Sequence, residues 1–196
     1  MKKSLIILLV VAGAILLIIM LLSGRYNRLV TLEESVTAAW SQVENVYQRR
    51  ADLIPNLVNT VKGYADFEQS TLTQVIEARA KATSVTIDPT NLNEASMQQF
   101  QQAQEGLGSA LSRLMVVVER YPDLKANQNF MDLQAQLEGT ENRITVERRA
   151  FNETAQAYNT HVRSFPTNII ASIFGFEKKA YFQAESGAEK APDVQF

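Results

Sequence analysis

The polar stretch best equipped for chemistry is Gln48-Arg49-Arg50-Ala51-Asp52. Arg50 falls on a seven-residue column that otherwise reads Leu29, Val36, Val43, Leu57 and Tyr64, so its guanidinium must either pair with an acid or face an anion. Arg49, Arg50 and Asp52 therefore form the candidate site, as a buried ion pair or as a seat for an anion or lipid headgroup, with Asp52, Glu44 or an acid on the fourth helix, such as Glu147, as the neutralising acid. A second doublet, Arg148-Arg149, reads as a solvated helix face, because adjacent helical residues point ~100° apart. His161 is the single histidine and there is no cysteine, which leaves no metal set of three or four donors and no thiolate chemistry. Serines and threonines lack a neighbouring histidine and the Ser-x-x-Lys or Gly-x-Ser-x-Gly spacing of an activated nucleophile. Gly106 and Gly108 lack a third glycine for a phosphate loop and read as points of close helix packing. No Glu-x-x-His pair exists for a di-iron bundle. These patterns predict no catalysis and no cofactor.

Helices must position these groups. Apolar residues recur by threes and fours from Leu29 to Val61, and a second column of Trp40, Tyr47, Ile54 and Val61 makes the stripe wide enough for a bundle. Pro55 lies inside this pattern and predicts a kink near Leu53 to Asn56. Further helix is expected through Leu72, Val75 and Ile76, opened by Asp66 and Gln69 if Gly63 interrupts the run. The stretch 85–93 carries Asp88-Pro89 and predicts the first hairpin turn. A third helix runs from Met97 to Tyr121 with Gln104 alone out of type. A fourth holds Phe130, Leu137, Ile144, Phe151, Tyr158 and Phe165 at steps of seven until Pro166. The fold class is all-α: a single N-terminal transmembrane helix, then an antiparallel bundle of long helices.

The span is Leu5 to Leu22, 18 consecutive uncharged residues. At ~1.5 Å per residue it is ~27 Å long, close to the hydrocarbon thickness of a bilayer. Its length, and the poor cleavage site Ser23-Gly24-Arg25, favour a retained anchor over a signal peptide. Lys2 and Lys3 on one flank face Arg25 and Arg28 on the other, so flanking charge leaves the side of the soluble body undetermined. The domain reading is an anchor over 1–24, a bundle over 25–165, a short apolar segment over 166–182 and a mobile tail over 183–196. Ile169, Ile170, Ile173, Phe174 and Phe176 make the apolar segment either a lid on the bundle end or an interfacial contact. With 19 basic against 21 acidic residues, the net charge of −2 gives no field for nucleic acid.

The words of the sequence resemble one family. YNRLVTLEESVTAAWSQVENVYQRRADLIPNLVNTVKGYADFE (26–68), EARAKA (77–82), RLMVVVERYPDLKAN (113–127), ENRITVERRAFN (141–152) and FPTNIIASIFGF (165–176) are similar to the LemA family of bacterial membrane proteins. The resemblance implies a short tail, one membrane helix and a long-helix domain in the bacterial inner membrane, without catalytic residues. The functional expectation is a non-catalytic scaffold or adaptor acting by self-association or contact with another membrane protein. A sensor with an anionic ligand near Arg50, and a membrane-remodelling protein using the Ile169 to Phe176 segment, stand second and third.

Overall fold

Long apolar columns with few glycine or proline breaks build long helices. The computed structural model describes residues 2–63 and 68–183, except the side chains at 2–4, 15, 18, 19 and 21. Among the described residues the regular elements are all helical: α1 (Lys2–Lys62), α2 (Gln69–Ser84), α3 (Glu94–Val118), α4 (Pro122–Lys125), α5 (Gln128–Arg163) and α6 (Thr167–Phe174). The 61 residues of α1 extend ~92 Å without a break at Gly24. Trp40 meets Phe151 and Arg50 meets Glu141, so α5 runs antiparallel to α1. Gln104 meets Ala82 and Arg120 meets Glu68, so α3 runs antiparallel to α2.

Two apolar cores are stacked along the bundle. The upper core, nearer the N-terminal extension of α1, holds Leu29, Val36, Trp40, Val43 and Tyr47 with Met97, Phe100, Ile144, Phe151 and Tyr158. The lower core holds Ile54, Leu57 and Val61 with Leu107, Leu114, Phe130 and Leu137. The buried apolar residues of α2, Leu72, Val75 and Ala82, all belong to the lower core. In the upper half the place of a fourth helix is taken by the loop residues Ile87 and Leu92 and by Ala180 and Phe182 of an extended C-terminal strap.

Several sequence expectations need correction. The first reversal lies between Lys62 and Gln69, and 85–93 joins α2 to α3 as the second turn. There the Asp88 carboxylate accepts from Thr90 Oγ1 at 2.7 Å and Thr90 N at 2.9 Å, bonds that hold its carboxyl below the usual range. Tyr64, Asp66 and residues 184–196 of the expected tail lie outside the described residues. Helix α5 stops at Arg163, so Phe165 leaves its column and is 81% exposed. Gly106 and Gly108 serve no close packing, since a Cβ at either would meet nothing within 4 Å.

Helix α1 passes uninterrupted through Pro55. Proline has no N–H, so the carbonyl of Ala51, four residues back, loses its helical donor. Arg79 of α2 supplies the replacement: its Nε donates to Ala51 O at 2.7 Å. Arg79→Ala should therefore cost about 1–2 kcal/mol in thermal unfolding of the chain in detergent. In a Pro55→Ala background the helix recovers its own donor, and the same change should cost less by about 1 kcal/mol. Equal costs in both backgrounds would separate Arg79 from the proline.

Candidate functional site

Between the two cores lies a polar layer. Arg50 is only 4% exposed, because the apolar column on which it sits turns inward there as it does above and below. Its Nη1 donates to Glu141 of α5 at 2.8 Å, and its Nη2 donates to the side-chain and backbone oxygens of Gln104 in α3 at 2.8 and 3.2 Å. The guanidinium lies 5.0 Å from the ring centre of Tyr47, whose phenol pKa is raised chiefly by burial. Gln104 passes its amide N–H to Ala82 O of α2 at 3.3 Å. One buried cation thus connects all four bundle helices at a single level. The two residues out of type in their apolar columns, Arg50 and Gln104, satisfy each other.

The acid that meets Arg50 is Glu141, on the same helix α5 as Glu147, so the partner comes from the long C-terminal helix of the bundle and is neither Asp52 nor Glu44. Asp52 lies two residues further on, ~200° around the helix. It accepts from Gln48 Nε2 at 2.8 Å on the exposed face. Arg49 is exposed, so the structure does not gather Arg49, Arg50 and Asp52 into one site. An anion at Arg50 would compete with groups of the chain itself, although Nε is buried without a partner. A cleft of about 230 Å³ between Glu44, Gln48, Thr83 and Gln104 lies beside the layer. Among the described residues no group of three or more acids or histidines could hold a metal.

A second polar cluster fixes the strap. Lys179 is 4% exposed, and its Nζ donates to Glu33 at 2.6 Å and to Thr90 O at 2.7 Å. Asn159 bonds both backbone groups of Lys179, at 2.8 and 2.9 Å, and Asn152 does the same for Phe182, at 3.0 and 2.9 Å. Ala180 N reaches Leu92 O at 2.8 Å. Gln101 and Arg148 hold Gln183, so the clamp reaches one residue into the segment read as a tail. The strap's backbone bonds named here are thus met mostly by the side-chain amides of Asn159, Asn152 and Gln101, with Arg148 and one loop carbonyl supplying the others. Phe182 stacks on Trp40 at 5.9 Å and touches Phe151 edge-on at 5.5 Å. Tyr158 lies beneath Lys179; burial, and then the Glu33 charge, push its phenol far up. Its hydroxyl finds no well-aligned hydrogen bond, although Glu33 is near enough to act on it.

At the upper end, α6 docks Ile170 and Ala171 into the core and leaves Ile169, Ile173 and Phe174 exposed. Phe176 is partly buried against that core. His161, in the last turn of α5, has its pKa lowered by burial and then by the charges of Arg28 and Arg25. The doublet Arg148-Arg149 divides: Arg148 lies 4.8 Å from the Phe182 ring centre, and Arg149 makes an exposed contact with Glu153 at 3.7 Å.

Residues 39–196, which carry the whole polar layer and nearly all of the strap's partners, match the LemA family. The chain belongs to the LemA family. It is 30% identical over 183 residues to magnetosome protein MamQ 2 of Paramagnetospirillum magneticum, covering 84% of this chain and 67% of that protein. It is 28% identical to magnetosome protein MamQ of Magnetospirillum gryphiswaldense, with the same coverage. It is 27% identical over 161 residues to protein LemA of Metamycoplasma hominis, covering 82% of this chain and 70% of that one. The residues of this LemA-family chain that sequence reasoning passed over are Glu141, Arg79, Glu33, Asn152, Asn159 and Lys179. Asn152 and Asn159 stand seven apart, each immediately beside an apolar column residue, Phe151 or Tyr158. That spacing is a faint signal for a clamp; nothing in Lys178-Lys179 marks the second lysine as buried.

Proposed function

We propose that this LemA-family protein is a non-catalytic scaffold or adaptor, held to a bilayer by the N-terminal extension of α1 and acting through self-association or contact with another membrane protein. The observation that carries the reading is the uncharged run from Leu5 to Leu22. Its described large apolar side chains, from Leu5 to Leu22, are 47–79% exposed. Such a surface in water would be strongly unfavourable, at ~25 cal/mol per Å². Among the described residues no helix is long and apolar enough to cross a membrane, and positions 15, 18, 19 and 21 of the run lie outside that description. The anchor therefore rests on the uncharged run of residues itself. Commitment of the buried charges Arg50 and Lys179 to the chain's own groups supports a structural task for them.

Size measurement of the full chain in mild detergent, combined with crosslinking in native membranes, tests this reading. A particle larger than one chain, or a defined crosslinked neighbour, is expected. Monomers without any captured neighbour would contradict it.

A further inference from the structure

Charge is segregated along this molecule. The first acid in the chain is Glu33, and before it stand Lys2, Lys3, Arg25 and Arg28. From residue 154 to 176 there is again no acid, while His161 and Arg163 lie in the last turn of α5. These two stretches meet in space. The Tyr26 ring contacts Phe174 at 4.9 Å and Phe176 at 5.6 Å, and α6 packs on both α1 and α5. The charges of Arg25 and Arg28 also reach His161. The bundle end from which the apolar extension leaves thus gathers Arg25, Arg28 and Arg163, with Glu33 and Glu177 as the acids that follow these two stretches in the chain.

The same end exposes an apolar ridge: Phe165 at 81%, Ile169 at 52%, Ile173 at 71% and Phe174 at 61%. The other face of α6 is committed to the core through Thr167, Ile170 and Ala171. Tyr26 lies four residues beyond Leu22, a rise of about 6 Å along α1, which matches the depth of one headgroup layer. Large apolar side chains ringed by arginine suit that layer, where apolar tips enter the acyl boundary and guanidinium groups meet phosphate.

We infer that the outward face of α6, with Phe165, docks into the anionic leaflet of the bilayer that α1 enters, while Arg25, Arg28 and Arg163 attract that leaflet's headgroups. This rests on the bilayer reading of α1 given above. The bundle then has two attachments to the membrane, which together set its tilt as well as its distance.

The chain has no cysteine, so single cysteines can be introduced into the full-length protein and labelled with an environment-sensitive fluorophore. Ile173→Cys reports on α6, Leu16→Cys on the extension and Val146→Cys on the exposed side of α5. Reconstitution is into vesicles of phosphatidylcholine with phosphatidylglycerol, or of phosphatidylcholine alone, each carrying spin-labelled lipid as quencher. The label at 173 should be quenched at least about twofold more than that at 146, and more in the anionic vesicles than in the neutral ones. A label at 173 quenched no more than that at 146, while the label at 16 is quenched, overturns the docking of α6 and leaves the anchor intact. An unquenched label at 16 overturns the anchor itself. Equal quenching at 173 in both lipids overturns the role given to the arginines.

Discussion

Phe182→Ala is expected to release the C-terminal strap and to lower stability by about 3–5 kcal/mol, the range for truncating a buried phenylalanine, or on the order of 10 °C in Tm. The ring is 6% exposed and shares one aromatic cluster with Trp40, Phe100 and Phe151. The strap fills the upper half of the bundle that α2 does not reach, so losing its anchor also exposes the faces of α1 and α5 beneath it. Hydrogen exchange separates this outcome from simple loss of packing. The amides of Ala180 and Phe182, which donate to Leu92 O and Asn152 Oδ1, should lose protection well before the lower core does. Phe174→Ser, a change at an exposed ring, should leave both quantities nearly unchanged in detergent. A Phe182→Ala protein that melts like the parent would show that the strap is ornamental to the fold.

The second large effect is expected from a residue that looks dispensable. Glu141 has a side chain 59% exposed, yet among the described residues it is the carboxylate paired with Arg50, whose side chain is 4% exposed. Glu141→Leu strands that buried cation and should cost about 2–3 kcal/mol, discounted from the ~3–5 of a fully buried pair because water reaches the carboxylate side. Arg50→Met removes the cation instead, leaves an exposed carboxylate that water accommodates, and should cost about 1–2 kcal/mol through the unpaired Gln104 oxygen. In the Arg50→Met background, Glu141→Leu should then cost less than about 0.5 kcal/mol. Denaturant unfolding of the four proteins closes the cycle. Additive costs would mean that the ion pair contributes nothing to the layer.

The helices were readable from the sequence because apolar side chains recur at helical spacing over many turns. The columns through Trp40, Tyr47, Ile54 and Val61, and through Phe130 to Tyr158, are all buried. Arg50 and Gln104 were each visible as misfits in otherwise apolar columns. Their mutual contact was not visible, because it depends on how α1 and α3 are shifted along each other, which no single-helix pattern encodes. The same limit left the acid open among Asp52, Glu44 and the helix that holds Glu147: two residues on a helix point nearly opposite ways, and Glu141 is selected only by the antiparallel register of α5. The strap was missed for another reason. Its backbone is held by Asn152, Asn159 and Gln101, and side-chain amides recognising an extended chain leave no periodic signature. Pro55 was legible as a break in hydrogen bonding, whereas the remedy from Arg79 required the fold.

Attachment of the bundle to a bilayer requires the uncharged run of α1 to reside in lipid. Membranes from cells producing the full chain, washed with alkaline carbonate and sedimented, put this to the most direct test. Retention of the protein in the washed pellet is the predicted result; its release into the supernatant, as a folded soluble bundle, would contradict the account.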